Sequence, residues 1–272
     1  MLKTFVYDDV TVYKMGRTIL NYVPYFVHCF LIGDALIDTG TLYAGDELIS
    51  AIDGRQINRI INTHYHEDHI GNNQRHQQQY SAKILAHRDS IPYIQNPRIT
   101  KLRLYQKIIW GYPSGSRPDI IGDSVTAGTY RFMVIHTRGH SEGHFCLYEP
   151  RKKWLFTGDM FCGIRNMYLR KDEDFNLMLK SLIELSKLEI DIIFCSLKGV
   201  VNNGNEALSQ KINYIKDLKD KTYALHAAGL TATQITRKLL GREDGMFYIT
   251  GGHFSKRYLI ENILGAPLPL DF

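Results

Sequence analysis

The chain of 272 residues has few cysteines, no long apolar run and no dominant charge. Its four cysteines, Cys29, Cys146, Cys162 and Cys195, are scattered and form no CxxC pair, which points to reduced thiols rather than a disulfide framework. No apolar stretch approaches the roughly 18 residues needed to cross a bilayer, so a membrane span is not expected. The opening segment MLKTFVYDDV lacks an apolar signal core, and the expected location is cytoplasmic. Lys and Arg number 33 against 28 Asp and Glu, a formal charge of +5. That balance is too small for a nucleic-acid-binding protein. A short stretch, TATQITRKLLG, has some helix-turn-helix character, but no basic stripe accompanies it. The expected partner is therefore a small molecule, with no nucleic acid and no membrane, and the expected assembly is a homodimer. With 44% hydrophobic residues the chain can bury a substantial core.

Short strands punctuated by turns fill the first 160 residues. FVHCFLIGDALIDTG, from Phe26 to Gly40, reads as two apolar runs reversed at Gly33-Asp34. Leu48 to Ile52 offers a short helical face. Arg59 to Thr63, Lys83 to Ala86, Tyr130 to His136, Trp154 to Thr157 and Asp191 to Cys195 read as strands. Apolar residues at helical spacing predict a helix over Asp174 to Leu188. Further helices are expected over Glu206 to Ala228, from Thr231, and from Ser255 to Leu264, with Gln234 placed for a capping box on Thr231. Between Pro97 and Asp123 the periodicity fails. Arg98, Lys101, Arg103, Lys107 and Arg117 are interleaved there with Tyr105, Trp110 and Tyr112. This is either an insertion flanking a pocket for an anionic or aromatic substrate, or a solvated segment packing its rings on the core. The whole is an α/β chain with a carboxy-terminal helical part.

The chemistry concentrates in THYHEDHIGN, residues 63–72, where His64, His66, Asp68 and His69 directly follow a strand. Residues two apart on an extended segment share a face, so His64 and His66 can converge on one ion. Asp68 and His69 lie past the strand end, where a turn can aim them at a neighbouring site. A second cluster, HTRGHSEGH, holds His136, His140 and His144. Gly139 and Gly143 argue against a helix there and for a turn that projects one imidazole. The third element is Asp159 in WLFTGDMF, which can act as a cap or bridge two ions.

In this order, FLIGDALIDTG, THYHEDHIGN, TRGHSEGH and FTGDMF resemble the metallo-β-lactamase superfamily, and in particular its glyoxalase-II-like and lactonase-like hydrolases. The resemblance implies a four-layer αββα sandwich over 1–204, with metals at one edge of its two sheets. It also implies a helical extension over 205–272 that caps the active site. It places one ion on His64, His66 and His140, a second on Asp68 and His69, and Asp159 between them. Asp38 in IDTG then corresponds to a structural carboxylate beneath the site. One position departs from the pattern: Leu197, in FCSLKGVVNNG, stands where a last ligand histidine is expected. The second of two divalent ions (zinc, or iron or manganese) should therefore bind more weakly. His253, in the Gly251-Gly252 turn, could compensate or touch substrate together with Ser255, although Ser255 is equally placed to cap a helix. Tyr65 lies between the ligand histidines and is either packing or a substrate contact.

Such a centre implies a hydrolase that delivers a metal-bound hydroxide to an ester-like bond in a thioester, lactone or phosphoester, with Asp68 orienting the nucleophile and moving its proton. The alternatives are a mononuclear Fe(II) enzyme similar to sulfur dioxygenases, built on His64, His140 and Asp159, and a non-hydrolytic sensor.

Overall fold

The structure, a computed structural model, describes residues 1–265; positions 266–272 of the expected helical extension lie outside the described residues. Seven strands form the first sheet in sequence order: β1 (Leu2–Tyr7), β2 (Val10–Met15), β3 (Val27–Ile32), β4 (Ala35–Ile37), β5 (Arg59–Ile61), β6 (Lys83–Ala86) and β7 (Pro118–Ile120). β3 and β4 are antiparallel around the expected Gly33 turn, and β4 to β7 run parallel. The second sheet uses β8 (Ser124–Ala127), β9 (Tyr130–His136), β10 (Phe145–Glu149) and β11 (Trp154–Phe156). A two-residue strand, β12 (Leu169–Arg170), then leaves that sheet, which β13 (Ile192–Cys195) and β14 (Gly199–Asn202) complete in the order β14-β13-β11-β10-β9-β8. β12 pairs instead with β15 (Phe254–Ser255), tying the late part of the chain to the segment after Asp159.

Side-chain alternation shows how the sheets face each other. Along β9, Phe132 and Val134 are buried while Arg131 and Met133 are exposed, the period-two pattern of a strand with one covered face. β3, VHCFLI, is buried throughout because both of its faces are covered. Between the sheets Val12, Phe30, Ile37 and Ile61 meet Phe132, Phe145, Phe156 and Phe194. The rings of Phe156 and Phe194 stack with centroids 4.4 Å apart.

The helices are α1 (Gly45–Ile52), α2 (Asn73–Tyr80), α3 (Ile91–Gln95), α4 (Leu104–Ile109), α5 (Phe175–Leu185), α6 (Gly204–Ala227), α7 (Ala232–Leu239), α8 (Gly245–Ile249) and α9 (Lys256–Ile263). Leu48 and Ile52 of α1 pack on Leu36, Ile60 and Ile84 outside the first sheet. Phe175, Met178 and Leu182 of α5, with Leu208, Ile212 and Ile215 of α6 and Leu259 and Ile263 of α9, cover Leu155 and Ile193 outside the second. The result is the expected αββα sandwich with a helical part at its carboxy-terminal side. Thr231 caps α7 through the anticipated reciprocal bonds with Gln234, and Asp174 caps α5 by accepting from the Leu177 N–H at 2.9 Å. The aperiodic 97–123 stretch contains α4 and β7. There Trp110 and Tyr105 pack inward, as in the second of the two readings, while Lys101 and Arg103 line a cavity.

Candidate metal centre

β5 ends at Ile61, and the chain then turns through the histidine-rich segment. The His69 N–H bonds the His66 carbonyl at 2.9 Å, and the Asn72 side-chain amide pins the turn by donating to the Thr39 and Thr41 carbonyls, each at 2.8 Å. The other two donors come from turns that require glycine. Gly139, before His140, has φ +117°, and a Cβ there would lie 2.4 Å from the Met178 nitrogen. Gly158, before Asp159, has φ +47°, and its Cβ would lie 2.7 Å from the Thr63 Oγ1. A side chain at either position meets both an unfavourable backbone conformation and a filled space.

Four side chains from these three turns converge: His64, His66, His140 and Asp159, all buried, have ligand atoms within 4.8 Å of one another. His140 Nε2 lies 3.3 Å from His64 Nε2 and 3.0 Å from His66 Nδ1, and 3.4 Å from Asp159 Oδ2. Two ligands each 2.0–2.1 Å from a tetrahedral ion stand roughly 3.4 Å apart, so the spacing fits a divalent cation. The outward nitrogens are already committed. His64 Nδ1 donates to Thr63 Oγ1 at 3.1 Å, the Thr63 hydroxyl donates to Asp38 Oδ2 at 2.8 Å, and His140 Nδ1 donates to Glu173 Oε1 at 2.7 Å. This network assigns tautomers whose lone pairs face the common centre, an arrangement that a cation stabilises and that is otherwise repulsive. Burial holds both rings well below the usual imidazole pKa, followed by the neighbouring rings for His64 and by Arg170 and then the rings for His66, so both are neutral at pH 7.

A second donor set adjoins the first. His69 Nε2 is 3.3 Å from Asp159 Oδ1 and 3.9 Å from Asp68 Oδ2, while its Nδ1 donates to Asp38 Oδ2 at 2.8 Å. His69 Nε2 is fully buried with no well-aligned hydrogen-bond partner and faces the Asp159 and Asp68 carboxylates. Burial opposes charge on this ring, but Asp38, Asp159 and Asp68 outweigh it and raise its pKa well above the usual value. Burial pushes the Asp68 carboxyl up. For Asp159 burial is overcome by His69 and His140, which hold it far below the ordinary carboxylate range. Leu197 packs against the apolar cluster of α5 and α6. Ser196, one residue earlier, donates its hydroxyl to Asp159 Oδ1. Cys162 donates its thiol to the Asp159 carbonyl at 3.0 Å, and burial pushes its pKa well up, as expected of an inert thiol.

Beside His66 opens a cavity of about 510 Å³, lined in part by Tyr65, Glu67, Arg170 and His253. The Tyr65 ring stacks on Tyr93 with centroids 4.2 Å apart. His253 stands outside the cation cluster: its Nδ1 is 2.6 Å from the Tyr105 hydroxyl, and its Nε2 is 3.9 Å from Asp172 Oδ1. Ser255 is buried as the cap of α9, accepting from the Arg257 and Tyr258 N–H groups and donating to Glu243 Oε1 at 2.6 Å, so its hydroxyl is committed away from the cavity.

Other residues of the centre carry no motif-level signal. Arg170 and Glu173, in and just after the short β12 that pairs with β15, contact His66 and His140. Tyr25 lies beside the centre, and burial followed by the charges of Asp68 and Asp159 raises its pKa well above the usual value. His144, noticed in the sequence only as part of a cluster, accepts the Asp159 N–H on its Nε2 at 3.2 Å and donates from Nδ1 to Thr137 at 2.7 Å. It fixes the backbone of a candidate ligand rather than being one.

Comparison with known proteins agrees with this architecture. The chain is 28% identical over 152 residues to an uncharacterized protein of Aquifex aeolicus, covering 50% of this chain and 66% of the relative. It is 25% identical over 177 residues to a hydroxyacylglutathione hydrolase of Pelagibacter ubique, covering 60% and 64%. The chain thus spans less than two thirds of the length of either relative. A beta-lactamase domain protein from Burkholderia ambifaria superposes with a TM-score of 0.71 at 17% identity, covering 96% of this chain and 87% of that one, a likeness of fold. The sequence profile of the Metallo-beta-lactamase superfamily matches residues 22–196, and the chain belongs to that superfamily.

Proposed function

We propose that the protein is a metal-dependent hydrolase of an ester-like bond, a thioester, lactone or phosphoester, with its first ion on His64, His66, His140 and Asp159. The observation that carries this reading is the convergence of those four buried donors within 4.8 Å, with the outward nitrogens of His64 and His140 already bonded to Thr63 and Glu173. The names of curated relatives such as the hydroxyacylglutathione hydrolase of Pelagibacter ubique also support hydrolysis of an acyl group. A divalent ion held here supplies a water acidified to a pKa of about 7 and a Lewis acid for the attacked oxygen.

The protein's own residues supply the rest. Asp38 holds His69 directly and His64 through Thr63, fixing the direction of both rings. Asp68 is buried at the edge of the centre with its carboxyl pushed up by burial. It is the group placed to orient the nucleophile and carry its proton to the leaving group. Asp68, His69 and Asp159 form a smaller second set, and Leu197 adds no donor to it. Metal titration is therefore expected to show about one tight and one loose ion per chain; two equally tight ions would contradict the reading. Purified without chelator, His64→Ala or His140→Ala is expected to lose the tight ion and turnover together. Full turnover in either variant rejects the ligand assignment.

A mononuclear Fe(II) centre is the second reading, favoured by Leu197, which packs against the apolar cluster and offers no donor. Iron in the purified protein, with oxygen uptake on a persulfide and no ester turnover, would establish it in place of the first.

A further inference from the structure

Arg170 has two partners that cannot both persist once the centre is in use. Its side chain is 11% exposed, and its Nε and Nη2 donate to Asp172. Nη2 also lies 2.9 Å from His66 Nε2. The nitrogen that His66 turns toward His140 is Nδ1, at 3.0 Å. A neutral imidazole has one N–H, so a ring that coordinates through Nδ1 carries its proton on Nε2 and becomes a donor there. The guanidinium is a donor only. Two N–H groups then face one another across 2.9 Å, and neither can satisfy the other. Leaving such buried donors unmet is costly, more so for a charged group. The species that relieves the conflict is an acceptor oxygen seated between them, at the wall of the 510 Å³ cavity.

The surroundings select the charge of that acceptor. Lys101, Arg103, Arg170 and Lys171 line this cavity against Glu67 and Asp172, an excess of positive charge that favours an anion. Arg170 already grips one carboxylate, that of Asp172, through Nε and Nη2, and the planar guanidinium that does so suits a further carboxylate oxygen better than a lysine point charge would. The position is held by the backbone. The Arg170 N–H donates to Glu173 Oε2 at 2.8 Å, and Glu173 Oε1 accepts from His140 at 2.7 Å, so the arginine and the centre share one support.

We propose that the facing N–H groups of His66 and Arg170 form an oxyanion-binding subsite, and that the substrate is an ester or thioester bearing a carboxylate that docks there. The inference rests on coordination of His66 through Nδ1, and so on the hydrolase reading above. Its test is calorimetric titration of succinate, and in parallel of inorganic phosphate, into zinc-loaded protein with the zinc content of each sample measured. Succinate is expected to bind at least tenfold more tightly than phosphate. Arg170→Gln is expected to weaken succinate at least tenfold with zinc content unchanged, and Arg170→Lys to weaken it severalfold. Undiminished succinate affinity in a zinc-loaded Arg170→Gln overturns the proposal. If that variant does not fold, undiminished affinity in Arg170→Lys overturns it. Phosphate binding as tight as succinate overturns the carboxylate assignment. Wild-type protein that takes up no zinc would instead be a failure of the metal reading.

Discussion

A single carboxylate, Asp38, accepts from the Thr63 N–H at 2.9 Å, the Thr63 hydroxyl at 2.8 Å and His69 Nδ1 at 2.8 Å. It does so from a left-handed backbone, φ +59°, a conformation that costs a non-glycine residue energy and persists where the surroundings over-determine it. Those bonds are what the position provides: both histidine rings are aimed before any ion arrives. A different histidine, His76, shows burial with no such function. It is fully buried, stacked against Tyr80, and neither of its ring nitrogens has a partner. Burial, with Arg75 adding to it, lowers its pKa from 6.5 to about 4. The unfolded chain therefore takes up a proton near pH 6.5 that the folded chain refuses until about pH 4. Stability contributed by the neutral ring is intact above 6.5 and is lost as pH falls through that window, by on the order of 3 kcal/mol at most. Denaturant unfolding of wild type and His76→Phe between pH 7 and 4 should show the wild type losing stability faster on acidification. Parallel curves would refute this account of the ring.

At the scale of elements, the centre is made by three strand-to-turn transitions, and each was legible to a different degree. The turn after β5 announced itself because four of its residues can ligate a metal. The turn after β9 is non-helical, as its glycines predict, since Gly139 and Gly143 occupy positive φ. The turn after β11 is held by Gly158, whose added Cβ would lie 2.8 Å from His144 Nε2 as well as against Thr63. Gly158→Ala is expected to displace Asp159 and lower metal affinity roughly 10–100-fold while the sheets stay folded; unchanged affinity, measured by competition with a chromogenic chelator, would show the turn to be tolerant. The elements that escaped the sequence reading lack an apolar stripe. α2, NQRHQQQY, buries only Asn73 and His76, and the five-residue α8 buries nothing and depends on the Asp244 cap. β12 has two residues, and its importance lies in a pairing with β15 some 85 positions later. No local pattern encodes such a contact, which is why Arg170 and Glu173 could not be found from the motifs while His64, His66, His140 and Asp159 could.

Across the whole molecule, three apolar layers set the order of the sandwich: one outside each sheet and one between them. The outer layer of the second sheet is shared with α6, α7 and α9, so Leu155 and Ile193 are buried by residues beyond position 204. Removing residues 204–272 is therefore expected to leave an insoluble or unfolded chain, since large apolar faces lose their cover; a soluble, cooperatively melting fragment would contradict the shared core. No helix among the described residues is long and apolar enough to cross a membrane. The same cluster that buries the helices includes Phe175 and Met178 of α5, next to the Asp174 carbonyl and Met178 nitrogen that a Cβ on Gly139 would meet, so the turn carrying His140 to the centre is packed against the helical layer. Anomalous diffraction at a metal absorption edge, from crystals of protein purified without chelator, tests that centre most directly. The account predicts one strong peak about 2.0–2.2 Å from His64 Nε2, His66 Nδ1, His140 Nε2 and an Asp159 oxygen. A strongest peak bound elsewhere, or none in protein that turns over esters, would contradict it.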